Sequence, residues 1–346
     1  MPLKRLRLLL LGICLLLPST TSAQQYTVTA VGTLGGPESL ALAINAVGDV
    51  AGISIQGDAS SRAFLWTEGT MRDLGLLPGY TSCSAFALND RREVVGGCTG
   101  PDPTVPAAFR WTDDGGMTTI EVNGRQAKVA TAINNNGDIT GQLGATGTGT
   151  TAFLYRDGVG EEIGIFAPYG INDRGQVVGS HATAVLWDQT GLHDLGALAE
   201  GGSSLALAIG SDGLIVGGSE TGVPGATNAV LWNGYGIANL GTLGGDFARA
   251  SAISGALIVG GATVTPFGDF HAFIYDNNGP GYPIDLNDLI SPDSGWLLTS
   301  ATGINVAGQI VGIGEINGVR RSFLLTPVTP PTIPQTPGLR SHAAQP

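Results

Sequence analysis

Four histidines, three cysteines and 28 acids are where this 346-residue chain would keep metal, redox or acid–base chemistry. His181, His193, His271 and His342 form no HxH or HxxxH pair, so a zinc site would have to be gathered from distant segments; strand-edge and loop histidines are the simpler reading. The run Asn-Asn-Asn-Gly-Asp at 134–138 is oxygen-rich, but no series of alternating acids closed by a glutamate follows, as a calcium loop requires. No G-x-S-x-G elbow is present to expose a nucleophilic serine. The sequence therefore assigns no catalytic residue, no metal ligand and no cofactor. Two of the 28 acids meeting at one point would make a glycosidase-like pair, which keeps an enzymatic alternative open.

Cys83 and Cys98 are not spaced as a redox motif. They flank a hairpin whose turn falls near Asp90–Arg92, and their numbers sum to 181, as do those of Leu88 and Glu93. Antiparallel partners keep a constant sum, so the two cysteines face each other across the hairpin. A structural disulfide is expected, stabilising by about 2–3 kcal/mol for a loop of this size.

The segment 1–23 reads as a secretory signal peptide. Lys4, Arg5 and Arg7 precede ten apolar residues, and a small-residue exit ends at Ala23. That run is too short to span a bilayer, and Ile13 ahead of Cys14 is not the small residue of a lipoprotein site. Removing three bases and no acids leaves 13 Lys and Arg against 28 Asp and Glu, so the charge falls from −12 to 13 − 28 = −15. Such a surface repels nucleic-acid backbones and anionic lipid heads. The expectation is a secreted or periplasmic monomer with no nucleic-acid partner and no membrane association after cleavage. The last segment, 329–346, is proline-rich and reads as a disordered tail.

Between these ends the chain repeats itself. AINAVGDVAG from Ala43 recurs as ALNDRREVVG, AINNNGDITG, GINDRGQVVG, AIGSDGLIVG, AISGALIVG and GINVAGQIVG. The aliphatic marker falls at Ile44, Leu88, Ile133, Ile171, Ile209, Ile253 and Ile304, a period of 38 to 51 residues. A second phrase follows each copy, RAFLW in the first and RSFLL in the last; a third, of the RDLG type, closes six of the seven. The seventh lacks it, and the N-terminal stretch YTVTAVGTL stands to repeat one as YGIANLGTL stands to repeat seven's neighbour, repeat six. Short apolar runs punctuated by Gly, Asn and Asp make each phrase a strand. Four-stranded units of this length, too small to bury their own faces, predict an all-β, seven-bladed β-propeller over 24–328, its ring closed by the N-terminal strand at 26–34. Helix content should be close to nil. The recurring Asn is read as a turn former and the recurring small residue as a packing requirement. Gly210 and Ser254 interrupt the Asn series, which an obligatory ligand would not tolerate.

These phrases resemble the bacterial extracellular HAF repeat family, whose units run DLGTLGG, S-x-A-x-AIN-xx-GQVVG, HAFLW. NLGTLGG at 239–245, INDRGQVVG at 171–179 and HAFIY at 271–275 carry the resemblance, which covers nearly all of 26–328. The naming triplet His-Ala-Phe occurs once, at His271, so this histidine is no shared catalytic group. The resemblance implies the fold and an exported protein, and leaves the activity open.

Variation gathers between the second and third strands of each unit. Those connections and the links between blades share one face of the disc, because successive strands alternate in direction. The best-placed ligand contacts are therefore Asp58, Asp102, His181, Glu220, Phe267, Asp269 and Phe270, with blade four leaving a notch near His181. The leading expectation is a non-enzymatic scaffold binding a protein or glycan partner through that face. The alternatives are a propeller-fold polysaccharide hydrolase or lyase, and a structural component of the cell surface or matrix.

Overall fold

Seven four-stranded antiparallel sheets make up the computed structural model, which describes residues 25–146, 149–234 and 236–328. The expected leader, the tail and His342 lie outside the described residues. Blade 1 runs Glu38–Ile44, Val50–Ile55, Ser61–Thr67, Thr70–Asp73, each strand pairing with the next, and blades 2 to 6 repeat that order. In blade 7 the strands Trp296–Ile304, Ile310–Ile316 and Val319–Pro327 take their fourth partner from the other end of the chain. Tyr26–Ala30 lies antiparallel on the third, with Tyr26 opposite Pro327 and Ala30 opposite Phe323. The chain is thus an all-β, seven-bladed propeller closed by its N-terminal strand. That strand stops at Ala30, short of the expected Leu34, although the Val31 amide still donates to the Ser322 carbonyl at 3.1 Å.

Two short 3-10 turns, Leu286–Leu289 and Pro292–Ser294, join blades 6 and 7. A small hairpin, Glu121–Val122 with Arg125–Gln126, fills the link between blades 2 and 3. Its Val122 is fully buried and lies so close to Gly160 that a Cβ there would come within 2.5 Å of it.

The phrases are packing devices. The glycine of VVG sits under the aromatic ring of the following AF phrase: a Cβ on Gly52 would lie 2.0 Å from the Leu40 carbonyl oxygen and 2.9 Å from Phe64. Gly96 with Phe109, Gly141 with Phe153, Gly260 with Phe273 and Gly312 with Phe323 repeat the contact. Blades 4 and 5 carry Val185 and Val230 instead of Phe, and in blade 4 Phe166 covers Gly179. Each first strand has a bulge at the same place, skipping Leu42, Phe86, Thr131, Tyr169, Leu207, Ser251 or Thr302, and blade 7 has a second at Thr299. A bulge bends and twists a strand, which suits sheets that must converge on an axis.

The disulfide forms between Cys83 and Cys98, whose Cα atoms are 4.1 Å apart and directly paired. The register that predicted it needs correction. Leu88 pairs with Val94, not Glu93, a sum of 182; the bulge at Phe86 absorbs one residue and restores 181 from Ala85 outward. The Met117 sulfur lies 3.9 and 3.8 Å from the two cysteine sulfurs, inside the core shared by blades 1 and 2.

Candidate functional site

One face of the disc carries the short turns within blades, the other the variable loops. On the short-turn face the recurring Asn is more than a turn former. In Asn45 the side-chain oxygen accepts from the Asp49 amide at 2.8 Å, while the Nδ2 group donates to the Asp49 carboxylate at 2.9 Å and to the Asn89 carbonyl of the next blade at 3.4 Å. Asn89, Asn134, Asn172 and Asn305 do the same with Glu93, Asp138, Gln176 and Gln309, and hand their second proton to Asn134, Asn172, Gly210 and Asn45. All five are buried. An amide has two N–H donors, and here one closes the turn and the other ties neighbouring blades. The links are missing from blade 5 to 6 and from 6 to 7, where Gly210 and Ser254 stand in for Asn and Leu214 and Leu257 for its acidic or amide partner.

Arginines complete this latch in blades 2 and 3. Arg92 reaches back to Asp49 at 2.8 Å, Arg156 bonds Asp138 at 3.0 Å, and Glu93 receives Arg91 at 2.9 Å and Arg110 at 2.5 Å. Burial pushes the Glu93 carboxyl up, but the hydrogen bonds from Arg110, Asn89 and Arg91 outweigh it and hold the group below its ordinary value.

Inside the ring of asparagines the marker residues Ile44, Leu88, Ile133, Ile171, Ile209, Ile253 and Ile304 line an axial cavity of about 300 Å³. Asp90 and Asp173 are the acids on its rim, with Asn135 between them. Each carboxylate accepts a backbone N–H of the preceding blade at 2.8 Å, from Ala46 and Asn135 respectively. Among the described residues no group of three or more His, Cys, Asp or Glu is placed to hold a metal ion.

On the variable face, the expected contact residues fall on five blades. Asp58 and Asp102 each close their own loop: Asp58 accepts from the Ser60 hydroxyl at 2.6 Å and amide at 2.9 Å, Asp102 likewise from Thr104. Those bonds hold both carboxyls below their ordinary values, so these two acids serve the turns they sit in. Glu220 accepts from the Ser203 amide at 2.9 Å. His181 is exposed beside a one-residue connection, Ala182.

Blade 6 is different. Phe267 is 94% exposed and Phe270 45% exposed, with Asp269 between them. Phe270 meets Phe247 edge to face at 5.5 Å, and the Arg249 guanidinium lies over the Phe247 ring at 4.9 Å. The Asp246 carboxylate steadies the loop, accepting from the Phe267 amide at 3.3 Å. Sequence reasoning missed Phe247 and Arg249 because they stand on the link and first strand, outside the variable loop they serve. His271 sits beneath this loop and pairs with Asp285 of the outer strand at 2.5 Å. The same position pairs Thr183 with Asp194 at 2.7 Å and Asn228 with Asn239 at 2.9 Å. The histidine is one version of a strand-to-strand tie.

No protein-family model matches the chain, and none of the curated proteins matches it. Solved structures are alike in fold. YCF48 bound to a D1 peptide is 10% identical with a TM-score of 0.52, over 91% of this chain and all (100%) of that one. An oligogalacturonate lyase in complex with manganese is 14% identical with a TM-score of 0.53, over 89% and 94%. TolB from Acinetobacter baumannii is 9% identical with a TM-score of 0.42, over 69% of this chain, which spans about half (52%) of TolB's length. The class is the β-propeller, and that fold hosts a peptide complex in one neighbour and a lyase in another, so function must be argued from this chain's own site.

Proposed function

We propose that this is an exported, monomeric binding scaffold of the HAF repeat type that holds a protein or glycan partner on its variable face, centred on blade 6. The observation that carries the proposal is the pair of exposed aromatics Phe267 and Phe270, the latter packed on half-buried Phe247 with Arg249 over that ring. Large exposed aromatics and arginines are the side chains that supply most binding energy at interfaces, and each also stacks on a sugar face. The disulfide supports export, since such bonds persist in oxidising compartments. Among the described residues no helix is long and apolar enough to cross a membrane.

The test is a glycan and peptide array probed with the wild-type protein and with a Phe247→Ala, Phe267→Ala, Phe270→Ala triple variant. Signals present with the former and lost with the latter are expected; equal signals would remove blade 6 from the account. The polysaccharide hydrolase or lyase remains the second reading, favoured by Asp90 and Asp173 at the axial rim. Turnover of a carbohydrate panel that disappears in Asp90→Asn or Asp173→Asn would replace binding with catalysis as the conclusion.

A further inference from the structure

The near-sevenfold repetition makes each blade a control for the others, and blade 4 departs from blade 2 at two neighbouring positions. In blade 2 the turn Asn89-Asp90-Arg91 is followed by Glu93, and Arg91 bonds that carboxylate at 2.9 Å. In blade 4 the same turn reads Asn172-Asp173-Arg174, but Gln176 stands where Glu93 does. Gln176 spends its oxygen on Asn172 at 2.9 Å. Arg174 is exposed and has no carboxylate within ion-pair distance among the described residues; its guanidinium lies over Gly213 of blade 5, as that of Arg91 lies over Gly137 of blade 3.

The second departure is at the aromatic position. Trp111 of blade 2 is 2% exposed, covered by the Arg72 guanidinium at 4.8 Å, which also bonds Asp113 at 2.6 Å. Trp187, its equivalent in blade 4, is only half-buried and lines an open cavity of about 300 Å³ together with Arg174, Gln176 and Gln189. The acid of that cavity, Asp188, is turned into its own hairpin, accepting from the Thr190 hydroxyl at 2.6 Å and amide at 2.8 Å and lying 3.2 Å from His193. Arg156 at the cavity's edge is bonded to Asp138.

A partly exposed indole that lines the cavity beside a guanidinium with no ion-pair partner, with the side-chain amides of Gln176 and Gln189 around them, complements one kind of ligand: a flat, hydroxylated ring bearing a carboxylate. We propose that this cavity binds a hexuronate unit of an acidic saccharide, the sugar face on Trp187 and the carboxylate on Arg174. Its volume is at the lower end of ligand pockets, enough for a sugar ring or two. Charge-assisted pairing of a planar guanidinium with a carboxylate supplies orientation as well as affinity. The site lies on the short-turn face, opposite blade 6's aromatic cluster, and does not depend on what that cluster binds.

The intact protein is titrated calorimetrically with trisaccharides of galacturonate, glucuronate and mannuronate, and with their methyl esters. At least one free acid should bind, its ester about tenfold or more weaker, the weight of one charge-assisted hydrogen bond. Gln176→Glu gives Arg174 the internal partner Arg91 already has, and should weaken binding about as much as Arg174→Gln without lowering thermal stability at neutral pH, since a carboxylate fills the same turn position in blades 1, 2 and 3. Trp187→Ala should weaken the same ligand; Phe247→Ala on the other face should not. Binding of none of the three acids, equal binding of acid and ester, or binding indifferent to Gln176→Glu would overturn the assignment.

Discussion

Residue by residue, the repeated letters turn out to be joints. Gly52 has the Leu40 carbonyl oxygen 2.0 Å from where its Cβ would be, so Gly52→Ala should cost about 3 kcal/mol or more, read as a fall in denaturation midpoint or in soluble yield. Asn89→Ala removes two buried donors and leaves the Glu93 carboxylate and the Asn134 carbonyl short of partners, a loss of about 1–3 kcal/mol by urea denaturation. Glu93 gives a pH signature. Its folded-state value is depressed, so its stabilisation is complete above its ordinary value and fades as pH falls through the folded one. Glu93→Gln should therefore flatten the acid limb of the stability profile. The turn role of these asparagines was legible from Asn and a following Gly. Their lateral role was written too, in the way Asp, Glu or Gln stands four residues on where Asn is present, while Leu214, or Leu257 in the repeat one residue shorter, stands there where it is not. The carbonyl they reach belongs to a residue about forty positions away, which no local pattern names.

At the level of strands, the alternation of phrases fixed four strands per unit, but the bulge in every first strand was hidden. A skipped residue common to all repeats leaves no difference in length to notice. The disulfide was placed correctly because that bulge cancels a one-residue error at the hairpin tip. Reducing it should lower stability by about 3 kcal/mol, measured by unfolding with and without reductant. The closing strand carries its own titration. Tyr26 is 2% exposed within the core shared by blades 6 and 7, and burial pushes its hydroxyl from the ordinary 10.0 up to about 12. The native state thus keeps a proton that the unfolded chain loses, so stability is full below 10.0 and declines between 10.0 and about 12. Tyr26→Phe should shift this alkaline loss upward.

For the molecule as a whole, one face latches the ring and the other varies. The latch is built from a phrase that recurs in five of the seven blades, which is why the architecture could be read from the chain. The candidate sites are built from exceptions. Among the described residues blade 6 alone exposes phenylalanines in this way, and blade 4 joins the amide Gln176 to an arginine, Arg174, that in blade 2 has an acid to pair with; such departures become visible as sites only when neighbouring blades are set side by side in space. Both faces rest on closure, in which five residues at the start of the described chain complete the sheet of the last blade. The most direct test is calorimetric melting of the chain with 25–31 removed. The closed ring predicts that melting falls by about 10 °C or more, or that the protein does not fold, because blade 7 loses an edge and the Tyr26 core opens. Melting at the temperature of the intact chain would contradict it.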